Sequence, residues 1–407
     1  MSQVSAAEFD VYQSDYRPLQ LALLVGGDVK ANEQQLVEQV IKRDLMASQS
    51  FKALDPMSFL VSPKSGFANI DYGDWRLIGA DILALCSLHV VDGVLQAEIT
   101  VHDPFQSKQT LSLTLGGATT DLRRLAHRVA DQIYQAALGM PGYFTTHLLY
   151  VAKHGDKSDL IYMDQDGANR QVVGKNFTLL LSPDWSPDGE QVALNTYVGN
   201  RPRLEFFNLR DGTRRVFGAF KGLNSTPEFS PDGRFVAATL SHGNDINIHI
   251  YDMSKAKWHS FTHGHAIDTT PTWSPDGKWI AFVSNRSGKP QVYRQAVSGG
   301  KAELVSVVGD YNTSPTWSPM GDRIAMVSLK NWSFAIATVK PDGSDIRYLA
   351  TGKRVESPNW SSNGQMLIYS AEQNGMRRVY RVPSWGGVPE SITSPVEDAS
   401  DPAWSRH

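Results

Sequence analysis

The sequence predicts two domains, a small α/β domain followed by a six-bladed β-propeller. The first observation is length, because 407 residues exceed what a single hydrophobic core usually organises. The second is a short turn motif whose aromatic anchors are spaced 44, 44, 44, 43 and 44 residues apart. A fixed period of about 40–50 residues with β-rich runs inside it is typical of propeller blades. The anchors are Trp185, Phe229, Trp273, Trp317, Trp360 and Trp404.

Each repeat combines a turn with alternating strands. The first complete Ser-Pro-Asp-Gly copy, at 186–189, fits a type I turn, because proline sets φ at the second position and glycine follows at the fourth. The anchor strand before the turn is short, and the run after it, as at 191–194, is apolar. We therefore expect the anchor to lie on the innermost strand and to pack between blades.

The end of the chain predicts how the ring closes. Five anchors begin complete blades, whereas Trp404 lies three residues before the last residue. The strands predicted within 146–173 lack an innermost strand, so the C-terminal strand should pair with them and leave no free edge. The predicted organisation is a flexible segment at 1–17, an α/β domain at 18–138, a linker at 139–145 and the propeller at 146–407.

The α/β domain is predicted from its apolar patterns. The run at 19–25 reads as a buried strand, and residues 33–48 have the helical spacing of an amphipathic helix. The strands at 80–91 and 95–102 flank Asp92-Gly93, a pair that favours a tight hairpin turn. A second amphipathic helix is predicted at 121–138.

Composition excludes some classes of function. The 39 basic and 42 acidic residues are balanced and form no basic stripe, which argues against nucleic acid as a partner. No run of 18 apolar residues predicts a transmembrane helix. The N-terminus lacks the apolar core of a signal peptide, which leaves open a cytosolic protein and an exported protein whose signal was removed. Cys86, the single cysteine, cannot form an internal disulfide.

Metal ligation is not indicated by the polar residues. His259, His263 and His265 lie close together in the sequence, but no cysteine pair or second histidine pair completes a zinc site. We expect solvated loop histidines, with His265 as a partner contact. We predict no cofactor and no metal ligands, and a cation such as calcium in the propeller channel is the alternative that stays open. Trp332, in a predicted loop, is a further candidate contact.

Catalysis is the competing class of function. Similar propellers accompany serine peptidases of the prolyl-oligopeptidase type, which require a Gly-x-Ser-x-Gly nucleophile motif. That motif is absent from the sequence. A binding protein is therefore the preferred prediction, and a hydrolase of prolyl-oligopeptidase or lactonase type is the alternative.

Four segments accompany the repeat: Glu-Phe-Asp-Val-Tyr at 8–12, Ile-Gly-Ala-Asp at 78–81, Gly-Tyr-Phe-Thr-Thr at 142–146 and Trp-Ser at 404–405. With them the chain resembles the TolB family of the Tol-Pal envelope system of Gram-negative bacteria. It departs from the family pattern at Met320, which replaces a turn aspartate, at Ser362-Asn363, which replaces Pro-Asp, and at Arg406-His407. The resemblance favours an exported protein.

The resemblance implies a periplasmic, non-enzymatic and monomeric interaction hub that reaches membranes only through its partners. The implied partners are the lipoprotein Pal, the inner-membrane protein TolA, colicins and porins, and the implied role is outer-membrane integrity and constriction at cell division. Pal would bind the propeller face opposite the Ser-Pro-Asp-Gly turns, which we expect to stay open. The positions carried over for Pal are Asn224, Ser225, His265, Asp268, Thr269, Thr270, Asn312, Thr313, Arg354 and Glu356. Those carried over for TolA are Glu8, Phe9, Asp10, Val11 and Tyr12.

Overall fold

A computed structural model of the chain describes residues 11–12, 16–60, 70–330 and 332–406. The chain divides into two compact units. One comprises residues 15–145, and the other comprises residues 146–407 together with residues 1–14. Glu8, Phe9 and Asp10 of the predicted TolA segment lie outside the described residues. Among the helices that are described, none is long and apolar enough to cross a membrane.

The N-terminal unit is an α/β domain built on one mixed sheet of five strands, in the order β2-β1-β3-β4-β5. The strands β2 and β3 pair in parallel with β1, and β3, β4 and β5 form an antiparallel meander. A short 3-10 helix covers Pro56–Ser58. The elements are β1 (Leu19–Gly27), α1 (Ala31–Ala47), β2 (Phe51–Ala53), α2 (Tyr72–Leu77), β3 (Ile82–Val91), β4 (Val94–Asp103), β5 (Lys108–Gly117) and α3 (Leu122–Leu138).

Two polar features organise this unit. The predicted hairpin forms with Val91 opposite Val94, and Asp92 takes the left-handed conformation, φ +52°, that such turns need. Between α1 and α3, Asp44 and His127 are buried, and the carboxylate Oδ2 lies 2.6 Å from the imidazole Nδ1. A buried carboxylate requires such a partner, and this contact links the two helices.

The second unit consists of β-strands from residue 147 to residue 404. In chain order they are β6 (His147–His154), β7 (Lys157–Asp164), β8 (Gln171–Phe177), β9 (Leu180–Trp185), β10 (Gln191–Val198), β11 (Arg201–Asn208), β12 (Arg214–Gly218), β13 (Asn224–Phe229), β14 (Phe235–His242), β15 (Asp245–Asp252), β16 (Lys257–Ser260), β17 (Asp268–Trp273), β18 (Trp279–Ser284), β19 (Gln291–Ala296), β20 (Glu303–Leu304), β21 (Tyr311–Trp317), β22 (Ile324–Lys330), β23 (Ser333–Val339), β24 (Arg347–Trp360), β25 (Met366–Gln373), β26 (Met376–Pro383), β27 (Glu390–Ser391) and β28 (Asp398–Trp404).

These strands form six antiparallel blades. Blades 1, 2 and 3 are the sheets β9–β12, β13–β16 and β17–β20, and blade 6 has the order β28-β6-β7-β8. Blades 4 and 5 share the long strand β24 within one seven-stranded sheet. Residues 347–352 of β24 pair with β23 as the outermost strand of blade 4, and residues 353–360 pair with β25 as the innermost strand of blade 5.

The predicted pairing of the C-terminal strand with the strands that begin this unit is present. Strand β28 pairs antiparallel with β6, from Asp398 opposite Lys153 to Trp404 opposite Leu148. The indole Nε1 of Trp404 donates to Thr146 Oγ1 at 2.7 Å. The last strand therefore belongs to the sheet that begins this unit, which removes two free edges at once.

The anchors pack between blades, as predicted. All six are buried, with 2–8% of their surface exposed. Trp185 lies with Leu149 and Leu160 of blade 6 and Val192 of blade 1 in one apolar cluster. At the position before the anchor, a side-chain oxygen accepts a hydrogen bond from the backbone N–H of the next blade's anchor. These bonds run from Phe229 to Asp184 (2.7 Å), from Trp273 to Glu228 (2.8 Å), from Trp317 to Thr272 (3.1 Å) and from Trp404 to Asn359 (2.9 Å).

The turn that follows each anchor is repeated closely. In blade 1 the Gly189 N–H donates to the Ser186 carbonyl at 2.9 Å, and Asp188 accepts from the Ser186 hydroxyl. In blade 4, where Met320 replaces the turn aspartate, Asp322 accepts from the Ser318 hydroxyl at 2.8 Å instead. The substitution therefore leaves the turn intact.

Candidate partner-binding surface

One end of the propeller carries the loops that lead into the innermost strands, and we call this end the loop face. In every blade, the innermost strand has a non-glycine residue with a left-handed φ between +46° and +51° at the same place in the repeat, and blade 5 has a second one, Arg354, at +49°. The pairing with the second strand shifts register at that point in all six blades. Such bulges bend a strand and reorient its side chains. The six residues are Ser182, Thr226, Thr270, Ser314, Ser357 and Asp401, and all line a cavity of about 120 Å³ in the channel.

Three of the predicted Pal contacts are buried and hold the loops in place. Asn224 donates to the Phe220 carbonyl at 2.8 Å and accepts from the Phe220 N–H at 2.9 Å. Asn312 donates to the Val308 carbonyl at 2.8 Å in the corresponding loop. All three side chains lie two residues before the left-handed position, and Asn224, Asp268 and Asn312 are fully buried.

Asp268 holds its loop through an ion pair. Its two carboxylate oxygens accept from Arg286 Nη2 at 3.0 and 3.1 Å. The Arg286 guanidinium lies over the rings of Phe282 and Tyr293, at 5.2 and 5.0 Å from their centroids. The carboxylate is therefore engaged within blade 3.

The other predicted contacts reach the surface. Ser225, Thr269, Thr270 and Thr313 are half-buried. His265, Arg354 and Glu356 are exposed, and His265 Nδ1 lies 2.8 Å from Asp245 Oδ1.

A cavity of about 370 Å³ opens between blades 3 and 4 on the loop face. It brings together Thr269, Thr270 and Thr313, three of the predicted contacts. The Thr270 hydroxyl is buried and has no hydrogen-bond partner among the described residues. Apolar side chains that the sequence reasoning missed form much of the wall: Ile267, Val283, Pro290 and Tyr311. Their signal was available, because Ile267 and Tyr311 are apolar or aromatic residues at the ends of otherwise polar loops.

Blades 5 and 6 present charge on the same face. Arg377 pairs with Asp398, with Nε 2.9 Å from Oδ1. Although Glu356 reaches the surface, partial loss of water around its carboxyl raises its pKa, the negative charge of Asp401 raises it further, and Arg377 and Arg354 oppose both effects. The loop face therefore combines an apolar cavity on one side with a charged cluster on the other.

The described part of the N-terminal segment lies against blade 4. Val11 forms a parallel bridge with Tyr348, and the Tyr12 N–H donates to the Tyr348 carbonyl at 2.6 Å. The Arg347 guanidinium lies 4.9 Å from the centroid of the Tyr12 ring. Asp345 orients that guanidinium by accepting from Arg347 Nη2 at 2.8 Å. The segment thus adds a short stretch of backbone pairing to the outermost strand of blade 4.

The channel contains carboxylates near the Ser-Pro-Asp-Gly turns. Asp184 and Glu228 line a cavity of about 360 Å³ together with Arg406. Burial raises the pKa of Glu228 to about 8, and the Asp184 charge adds to this shift. Burial also raises the pKa of Asp184, while Arg406 opposes the shift.

Comparison with known families covers both units. Residues 134–407 match the family described as "TolB beta propeller domain", and residues 7–110 match the "TolB amino-terminal domain". A Tol-Pal system protein TolB from Paramagnetospirillum magneticum is 33% identical over 213 residues, which are 50% of this chain and 48% of the relative. One from Anaeromyxobacter dehalogenans is 34% identical over 202 residues, 48% of this chain and 46% of the relative. The chain spans about half the length of these curated relatives.

A solved structure extends the likeness to the whole chain. The crystal structure of TolB from Acinetobacter baumannii is 26% identical and superposes with a TM-score of 0.88. The match covers 98% of each chain. The propeller match alone covers more than half of the residues, and the amino-terminal match adds the first unit. The chain therefore belongs to the TolB family.

Proposed function

We propose that this chain is the periplasmic hub of a Tol-Pal system, which binds the lipoprotein Pal on the loop face and TolA through its N-terminal segment. Membership of the TolB family supports the assignment of the chain to a Tol-Pal system. The observation that carries the Pal site is the cavity between blades 3 and 4, which Thr269, Thr270 and Thr313 line together with apolar side chains. An apolar centre beside polar and charged groups is the usual anatomy of a protein–protein interface.

The loop face provides two different contributions to binding. The apolar cavity would take a side chain of Pal and bury it, which is how anchor residues contribute most of an interface's affinity. The cluster of Arg354, Glu356 and Arg377 would select the orientation by charge, since rim charges contribute more to specificity and association rate than to affinity. The buried Asn224, Asp268 and Asn312 would act by keeping the loops in a binding shape.

The N-terminal segment would exchange between two partners. Val11 and Tyr12 pair with the edge of β24 within this chain. The same backbone groups would pair with a sheet edge of TolA, a mode known as β-augmentation. Docking in the chain therefore competes with TolA, and Pal binding would alter that competition. Coupling of this kind is reciprocal and typically about 1–3 kcal/mol.

Calorimetric titration with the soluble domain of Pal from the same organism tests the site. Thr313→Arg places a long charged side chain in the cavity, and we expect it to weaken Pal binding at least tenfold without lowering the melting temperature. Ser298→Arg, on an exposed turn after β19, is the matched control and should bind as the wild type does. Wild-type affinity in Thr313→Arg would place Pal elsewhere.

A parallel titration with the C-terminal domain of TolA uses the full chain and a chain lacking residues 1–17. We expect the truncated chain to lose TolA binding. Loss of TolA binding together with a changed Pal affinity would support the coupling as well as the site.

The proposed function is binding and requires neither catalysis nor a cofactor. We propose a monomer in the periplasm that also receives colicins and porins and that supports outer-membrane integrity and constriction at division. Turnover of a prolyl-peptide or ester substrate by the purified full chain would contradict this assignment and favour the hydrolase class.

A further inference from the structure

Two carboxylates face the channel from neighbouring blades. Asp184 in blade 1 and Glu228 in blade 2 occupy the same position of the repeat, directly before the anchor. Each accepts a hydrogen bond from the next anchor's backbone, at 2.7 and 2.8 Å respectively. These bonds hold both acids in the channel wall, where the other blades have Thr272, Thr316, Asn359 and Ala403. The negative charge of the channel at this level is therefore confined to one side.

A basic side chain reaches the same place from the other end of the chain. Arg406 follows the last strand of blade 6, and its Nη2 donates to the Phe229 carbonyl of blade 2 at 3.4 Å. The side chain therefore crosses the channel past blade 1. Of the described residues that line this cavity, Asp184, Glu228 and Arg406 are the charged ones.

We infer that Arg406 is a tethered counter-ion for Asp184 and Glu228, and that it takes the place of a bound cation in the channel. The inference rests on position: one guanidinium and two carboxylates share a cavity of about 360 Å³. Buried charges need partners of opposite sign, because removing them from water is costly. The guanidinium cannot be deprotonated in a protein, so it is a permanent charge in that cavity.

The charge balance agrees with this assignment. The pKa of Glu228 is raised to about 8 by burial and by Asp184, so this group is largely protonated at neutral pH. Asp184 then provides about one negative charge, and Arg406 lowers its pKa against the effect of burial. One carboxylate and one guanidinium leave the cavity close to neutral. The set of groups does not fit an additional divalent cation, which would leave excess positive charge in a partly enclosed site.

Arg406→Gln removes the charge while keeping a polar side chain of similar reach. The melting temperature of the full chain is measured at pH 5 and at pH 8, with and without calcium chloride. We expect the fall between the two pH values to grow by roughly 2–4 °C in Arg406→Gln, since ionising the carboxylates then lacks its compensating charge. Calcium should restore that loss in the variant and leave the wild type unchanged.

Two further variants complete the test. Arg406→Lys keeps the charge and should behave as the wild type. Arg210→Gln removes an exposed arginine from the β11–β12 turn and should also change nothing. A wild-type pH response in Arg406→Gln would overturn the proposal, as would stabilisation of the wild type by calcium equal to that of the variant. If the melting temperature of Arg406→Gln falls more steeply with pH and calcium does not correct this, Arg406 is still a counter-ion, but the claim that it takes the place of a metal ion is overturned.

Discussion

We assign Asp268 to loop support rather than to partner contact, and its substitution tests this assignment directly. The side chain is fully buried, and both oxygens accept from Arg286 at 3.0 and 3.1 Å. Asp268→Ala leaves the guanidinium without its charged partner, although it keeps the rings of Phe282 and Tyr293 beneath it. A hydrogen bond between charged groups contributes about 1.5–3 kcal/mol. Because the Arg286 side chain is 29% exposed, water recovers part of this, and we expect a loss of about 2 kcal/mol.

That loss corresponds to a fall in the propeller melting temperature of about 4–8 °C, measured by calorimetry on the full chain. A double-mutant cycle with Arg286→Ala should show that the two substitutions are not additive, because they remove the same ion pair. Thr269→Ala, at the next residue, should weaken Pal binding and leave the melting temperature unchanged. If Asp268→Ala melts as the wild type does yet loses Pal binding tenfold, the residue is a contact and the assignment to loop support is wrong.

Three further predictions follow from other parts of the molecule. The folded-state pKa of Glu228 is raised from 4.5 to about 8, so its contribution to the free energy of unfolding is largest below pH 4.5 and is lost as the pH rises towards 8. In urea titrations, Glu228→Gln should make the free energy of unfolding fall less over this pH range. The control Glu190→Gln, at an exposed position, should leave the pH dependence unchanged. The contact between the Arg347 guanidinium and the Tyr12 ring stabilises the docked N-terminal segment by about 0.5–1 kcal/mol. Arg347→Ala should therefore bind TolA about two- to fivefold more tightly. An unchanged affinity would argue against competition between segment docking and TolA binding. Burial raises the pKa of the Cys86 thiol to about 12, so a maleimide should label it slowly in the native protein at pH 8 and rapidly in guanidinium chloride, and fast native labelling would contradict the buried position.

The sequence predicted the parts of the fold that repeat. Anchors at a constant period indicate the number of blades, and an incomplete last repeat indicates the closing strand, because a sheet edge must be paired somewhere. The sharing of β24 by blades 4 and 5 could not be predicted in the same way. Whether a chain remains extended at 352–353 or turns there depends on backbone pairing with two neighbouring strands, and local residue preferences do not distinguish these outcomes.

The site was predicted less completely for a different reason. An asparagine or aspartate in a loop can satisfy either the loop's own backbone or a partner, and the residue type is the same in both cases. Asn224 and Asp268 turned out to be buried, whereas Thr269 and Thr313 line the cavity. Only the three-dimensional contacts separate the two groups. The role of Arg406 could not be predicted either, because its contact with Phe229 joins residues 177 apart in the sequence and forms only in the folded propeller.

The position before each anchor shows how one repeat serves both scaffold and function. Four of these side chains, with three different chemistries, accept the same hydrogen bond from the next anchor: Asp184, Glu228, Thr272 and Asn359. The ring needs only an acceptor there, so the charge of the side chain is free to vary from blade to blade. Acids at two adjacent positions therefore give the channel an uneven charge without disturbing the fold, and the C-terminal Arg406 lies where that charge is concentrated. By the same argument, residues that differ between blades at an otherwise equivalent position are the first places to look for function in a closed propeller.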